Sequence, residues 1–177
     1  AVPVELYPKP RITGVALADL DAVLPGKGKF TIGGITLDTP DWVGFSPVTV
    51  KGRVQGFSLP VAAVDDETAR DKFKALGLDT LTVNGAVDLA WKESDETMAV
   101  GPLTLDIDGI GKVSVAGGVG GVPKSVFENP ETAEQAIATL DFRGLDIALQ
   151  AGGSFAKLLD MQAEEQGTTR AKLAQQT

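Results

Sequence analysis

One short pattern recurs along the chain and constrains its fold more than any other feature: apolar, any, Gly or Pro, apolar, any, apolar. It reads Ile12-Thr13-Gly14-Val15-Ala16-Leu17, then Ile32-Gly33-Gly34-Ile35-Thr36-Leu37, then Val54-Gln55-Gly56-Phe57-Ser58-Leu59. It returns as Val100-Gly101-Pro102-Leu103-Thr104-Leu105 and as Phe142-Arg143-Gly144-Leu145-Asp146-Ile147. A β-strand alternates its side chains between two faces with period two. Phe30 and Ile32 share one parity, Ile35 and Leu37 the other, with two glycines between. Met98 and Val100 precede Leu103, Leu105 and Ile107 in the same way, and Leu140 and Phe142 precede Leu145, Ile147 and Leu149. A parity switch at a mid-strand Gly or Pro reads as a β-bulge that keeps one apolar face inward while the strand bends. The competing reading makes each Gly a turn between two short strands. Three-residue half-strands are short for pairing, which favours the bulge.

Two stretches alternate without a switch. Leu81, Val83, Val87, Leu89 and Trp91 face one way, and Thr82, Asn84 and Asp88 the other. Val113, Val115 and Val119 alternate with Ser114, Ala116 and Gly118. Such half-polar alternation marks an antiparallel sheet with one wet face. Lys92 to Thr97 forms a polar hairpin loop and Asp108-Gly109-Ile110-Gly111 joins the next pair, so residues 81–122 read as a three-stranded meander. Helices are few. Asp65 is placed to cap one that carries Ala69, Phe73 and Leu76 and stops at Gly77. Asn129-Pro130-Glu131 opens a second, running to about Ala138. Ser154 precedes a third with Phe155, Leu158, Leu159 and Ala163, closed by Gly167.

The residues that are missing exclude more chemistry than those present suggest. The 177 residues contain neither Cys nor His. Disulfides, thiolate or imidazole metal sites, Cys nucleophiles and Ser-His-Asp triads are therefore excluded. The net charge of −8, from 16 basic and 24 acidic side chains, argues against nucleic acid and against docking on anionic membrane. No apolar run is long enough to span a bilayer as a helix. The start, Ala1-Val2-Pro3-Val4, carries neither Met nor a basic-then-apolar leader, so either a targeting segment has been removed or the chain is an excised piece. The C-terminal pattern after Thr168 is too short for a stable helix alone, so the expectation is one β-rich domain over 1–177 that belongs to a longer chain, cut in the helical region after about residue 154.

Motif by motif, the chemistry thins out. Gly117 to Ser125 approximates a phosphate loop, but Pro123 stands where the last Gly belongs and removes a donor. Asp106-Ile107-Asp108-Gly109 approximates the middle of a calcium loop, but Val115 stands where the bidentate Glu belongs. Asp65-Asp66 reads as helix capping and Asp95-Glu96 as a solvated hairpin tip. A pair of carboxylates for glycoside hydrolysis meets only in the fold, and two Trp and one Tyr leave little for sugar platforms. Trp42, in Pro40-Asp41-Trp42-Val43-Gly44-Phe45, is either a plug at one end of the sheet or a recognition patch at a membrane interface or partner.

With the bulged strands in view, the chain resembles bacterial periplasmic proteins of the broad AsmA-like type. The likeness lies mostly in Leu81 to Val122, including Met98-Ala99-Val100-Gly101-Pro102-Leu103-Thr104-Leu105-Asp106-Ile107. The passage from Leu145-Asp146-Ile147-Ala148-Leu149 to Phe155-Ala156-Lys157-Leu158-Leu159 and Gln162 to Gly167 is similar to a strand-to-helix passage in uncharacterised α-proteobacterial envelope proteins. The resemblance carries no catalytic motif. It implies a periplasmic or cell-envelope location and a curved sheet whose concave face takes acyl chains.

The expected fold is mainly β: a single curved antiparallel sheet, or an open barrel-like one, of seven to ten bulged strands with two or three short helices. The first functional expectation is a non-catalytic module holding lipid or another apolar ligand. Its groove would be lined by Ile35, Leu37, Phe57, Leu59, Val87, Leu89, Leu103, Leu105, Leu145 and Ile147; the same ten residues would equally serve as a closed, dry core. The second is an assembly subunit that takes a protein partner along a sheet edge. A hydrolase is the third. No cofactor, metal site or nucleic-acid partner is expected.

Overall fold

The fold is seen in a computed structural model that describes residues 11–129, 131, 136, 138, 140–169 and 171. Seven strands form one antiparallel sheet in the order β1 (Gly14–Leu24), β2 (Gly28–Asp38), β5 (Thr49–Pro60), β6 (Thr80–Lys92), β7 (Thr97–Ile107), β8 (Gly111–Gly120) and β9 (Asp141–Ala151). A two-residue pair, β3 (Trp42–Val43) and β4 (Ser46–Pro47), sits in the β2–β5 connection. Each sheet strand pairs with the next in sequence, so the sheet is a meander with β1 and β9 as its edges. It does not close into a barrel. The 81–122 meander is present as β6, β7 and β8.

Three of the glycine positions, in β5, β7 and β9, are bulges; at Gly33-Gly34 of β2 the pairings with β1 and β5 stay in register. Between Val54 and Phe57 the β5–β6 register shifts: Val54 lies opposite Gly85 and Phe57 opposite Val83, so Gln55-Gly56 faces Asn84 alone. Gly56 adopts φ 59°, and its N–H donates to the Asn84 side-chain oxygen at 2.8 Å. That bond satisfies a backbone donor the bulge takes out of the ladder. Gly101-Pro102 in β7 lies opposite the single residue Ala116 of β8, and Arg143-Gly144 in β9 opposite Gly118. The unswitched strands β6 and β8 each lie between switched neighbours, so the extra residue falls on one partner of each pair and shows as a register shift.

At β1 the expectation fails. Gly14 pairs regularly with Asp38 and opens the strand instead of interrupting it. The switch falls at Ala18-Asp19, where Asp19 takes φ 53° beside the Gly33-Gly34 switch of β2. An Asp tolerates the left-handed region through local hydrogen bonding, so no glycine marks that switch, and because β1 and β2 switch in step their register does not shift.

Helix α1 (Glu67–Ala75) is capped by Asp66, whose carboxylate accepts from the Ala69 N–H at 3.0 Å, and it ends at Gly77 with φ 83°. The expected cap, Asp65, instead pairs with Lys27 of the β1–β2 turn; one residue decides which carboxylate reaches the third amide of the helix. Asp66→Ala is expected to cost about 0.5–2 kcal/mol, read as a shift of the urea midpoint at constant slope. Helix α2 (Ser125–Glu128) is a single turn, and α3 (Phe155–Glu165) is followed by Gly167 at φ 61°. Ser154 makes no capping bond; its hydroxyl donates to the Leu76 carbonyl at 3.0 Å and ties α3 to the end of α1. The helix expected from 129 to 138 and the pattern after Thr168 fall mostly outside the described residues; Asn129 Oδ1 does accept from the Glu131 N–H at 3.2 Å.

The two strand ends carry the packing. At one end Val48, Trp91 and Val122 are buried together, with Val43, Met98, Val119, Phe127 and Leu140 against them. The Trp91 indole N–H donates to the Val122 carbonyl at 2.8 Å, and its ring meets Phe127 at a centroid distance of 4.8 Å. The β3–β4 segment thus contributes Val43 and Val48 to the plug; Trp42 is half-buried and donates its indole N–H to the Thr39 carbonyl. At the other end a 3-10 turn (Val61–Ala63) follows β5 and packs near α1. There Val61, Ala63, Leu76 of the α1 cap and Ala163 of α3 are buried, and a Lys72–Glu165 ion pair at 2.8 Å links the two helices.

Candidate functional site

Residues paired across an antiparallel ladder point to the same face, so the register sorts the whole sheet. One face carries Val15, Leu17 and Leu20 of β1; Phe30, Ile32, Ile35 and Leu37 of β2; Val50, Gly52, Val54, Phe57 and Leu59 of β5. It continues through Leu81, Val83, Gly85, Val87, Leu89 and Trp91 of β6, and Met98, Val100, Leu103, Leu105 and Ile107 of β7. Val113, Val115, Gly117 and Val119 of β8 and Phe142, Leu145, Ile147 and Leu149 of β9 complete it. Apart from the Trp91 indole N–H, which is bonded to the Val122 carbonyl, none of these side chains is polar. The bulges and the Gly33-Gly34 switch achieve this: without them Ile35 and Leu37, or Leu103 and Leu105, would fall on the opposite face. That opposite face is wet, with Thr36 beside Arg53 and Asn84 beside Asp106 and, next in line, Lys112.

All ten residues expected to line a groove lie on the apolar face. Leu17, Ile35, Val54, Gly85, Leu105, Val113 and Leu149 make one continuous row across all seven strands. Leu37 and Val87 flank Gly52, whose missing side chain leaves room: a Cβ there would come within 2.7 Å of Val87 Cγ1. Around Gly52 and Gly85 the residues Ile35, Leu37, Val54 and Val87 line a hollow of about 460 Å³. Toward β9, Val100, Val115, Val119, Phe142 and Leu145 line a second of about 500 Å³. Both fall in the size range of small-molecule sites. Leu103, Leu105, Leu89 and Ile147 lie on the face outside these hollows, and Phe57 and Leu59 lie toward the 3-10 turn end of β5.

The face is open to solvent. Leu105 is 50% exposed, Leu17 55%, Ile147 66% and Leu145 68%. A dry core of these residues would require a second layer, and no described element supplies one: the buried side chains sit at the strand ends. Leu17, Val113, Phe142 and Leu149, exposed on the same face, are not among the ten residues expected to line it. Their parities are visible, but only the register places them in the same rows.

Polar side chains gather on the wet face, where Arg53, Gln55, Asn84, Asp106 and Lys112 line a shallow hollow of about 330 Å³. Among the described residues no group of three or more Asp or Glu is placed to hold a metal ion. Gly117 to Gly120 are strand residues of β8, not a phosphate loop. Asp95 is held below the usual carboxylate range by the Ser94 hydroxyl, and Lys124 above the usual amine range by its hydrogen bond to Glu93. The Lys27 ammonium beside Asp65 holds that carboxyl below its ordinary value through a hydrogen bond and then through charge. Whatever this pair contributes to stability is present above the ordinary carboxylate pKa and fades as pH falls through the lowered one. NMR titration is expected to show Asp65 ionising below the usual range, and Lys27→Ala to return it there.

A family model described as "Uncharacterized protein" matches residues 104–177. No curated protein and no solved structure matches the chain. Among the described residues no helix is long and apolar enough to cross a membrane.

Proposed function

We propose that the protein is a non-catalytic module of the bacterial cell envelope that holds lipid acyl chains along the apolar face of its sheet. One observation carries this reading: an apolar face spanning seven strands, with side chains such as Leu17 and Leu105 half or more exposed. Contiguous apolar surface of this extent on a soluble chain marks an interaction site. The strands are 10 to 13 residues long, so the face runs roughly 35 Å along them, long enough to seat an extended acyl chain. The packed strand ends bound it at two sides and the edge strands β1 and β9 at the others. Its lining is mostly apolar, with Thr36, Arg53 and Thr104 at the hollow around Gly52 and Gly85. The periplasmic location rests on the resemblance in the bulged strands.

Native mass spectrometry of protein purified without detergent from its own envelope tests the reading. The expected result is a mass excess equal to a phospholipid or fatty acid, lost in Leu103→Asp with Leu105→Asp. A bare chain mass from wild type counts against it. Assembly through the sheet edges is the second reading; the edge β9, exposed at every residue, favours it.

A further inference from the structure

The geometry points to β9 as a self-pairing edge: Leu145 to Ala151 docks antiparallel on the same segment of a second copy of this chain. This stands apart from lipid binding and gives the assembly reading a specific partner and register. All eleven residues of β9 are exposed, Phe142 by 81%. After the Gly144 bulge, Leu145–Ala151 runs in unbroken register against β8. It contains no Pro and no Lys, the usual guards of a sheet edge.

The ladder phase shows which backbone groups are free. The Gly152 N–H donates to the Ile110 carbonyl at 2.7 Å, which makes Gly111 and Ala151 a non-bonded pair. Alternation then has Asp146, Ala148 and Gln150 exchange hydrogen bonds with β8, while the N–H and C=O of Leu145, Ile147, Leu149 and Ala151 point outward.

A two-fold axis beside Ala148 uses every outward group. Leu145 faces Ala151 of the second copy and Ile147 faces its Leu149, each twice, for about eight hydrogen bonds. On the wet face Asp146 meets Gln150 and Ala148 meets Ala148. Shifting the pairing by two residues, to centre on Ile147, runs Gln150 and Ala151 into the Arg143-Gly144 bulge of the second copy; shifting it by four, to centre on Asp146, sets that carboxylate against its own copy, which is repulsive. The edge β1 fits β9 less well: it is broken at Asp19 (φ 53°) and carries Asp19 and Asp21, with Lys29 already paired to Asp21 at 2.7 Å. The pairing is isologous and closes as a dimer. It joins two apolar faces on the same side of one sheet. The net charge of −8 on each copy opposes association, so added salt favours the dimer.

Sedimentation equilibrium of delipidated full chain tests it. The expected mass is twice the 18.4 kDa of one chain. Leu149→Pro, which removes an outward donor and leaves the β8 ladder intact, returns it to one. Ile147→Lys does the same while keeping every backbone donor, should the proline variant fail to fold. Because the chain has no cysteine, Ala148→Cys is expected to crosslink to itself on mild oxidation, and Leu20→Cys, on the other edge, not to. A wild-type monomer, or a dimer that both edge variants leave intact and Ala148→Cys does not trap, overturns the proposal. Mass loss of the dimer with lipid retained separates its failure from failure of the lipid reading.

Discussion

Trp91→Ala is expected to remove about 3–5 kcal/mol of stability. Domains of this kind have about 5–15 kcal/mol in total, so much of the variant should be unfolded at 37 °C. Trp91 is one of few large side chains below a tenth exposed. Its backbone N–H donates to the Val48 carbonyl and its indole N–H to the Val122 carbonyl, both at 2.8 Å, while its ring packs on Phe127. One side chain thus joins the start of β5, the exit of β8 and α2. Trp91→Phe should cost less, about 1–3 kcal/mol, for the stranded Val122 carbonyl and the lost volume. Trp42→Ala, at a half-buried ring, should cost less than Trp91→Ala. Urea unfolding followed by far-UV circular dichroism checks the order; equal losses at Trp42 and Trp91 would mean the strand end is not packed as described.

Replacing Leu17 and Leu105 together by Asp is expected to abolish lipid retention and barely weaken the fold. Both lie in the row that crosses all seven strands, and both are already half exposed. Each substitution should cost about 1 kcal/mol or less, the span of strand propensity. Were they core residues, truncation alone would cost about 2–5 kcal/mol each, and a buried carboxylate more. Thermal unfolding therefore separates an open face from a dry core before any lipid is measured. An intact fold with undiminished lipid would remove the face from consideration as the binding site.

Much of the sheet is legible in the residues because bulges leave a parity trace. Phe57 and Leu59 against Val54, and Leu103 and Leu105 against Val100, announce a switch that the register then displays. The β1 switch leaves the parity trace, Val15 and Leu17 against Leu20, but no glycine to locate it, since Asp19 takes the left-handed position there. The Asn84 bond to Gly56 also escapes a local reading: its partners are 28 residues apart and meet only once β5 and β6 pair. Asp65 and Asp66 differ in role by one helical step, finer than composition resolves.

By itself the amino-acid sequence determines that the chain is β-rich, that its strands are bulged, that the ten apolar positions from Ile35 to Ile147 share a face, and that His and Cys chemistry is absent. Those properties are local: period, parity and residue type. Only the tertiary structure decides whether that face is inside or outside. Burial depends on what is laid over a surface, and alternation reads the same beneath a second layer as beneath water. Here the helices go to the strand ends and pack on Trp91, Val61 and Leu76. Leu17, Leu105 and Ile147 are left uncovered, and β9 is left with its outward hydrogen-bonding groups free of any strand of its own sheet.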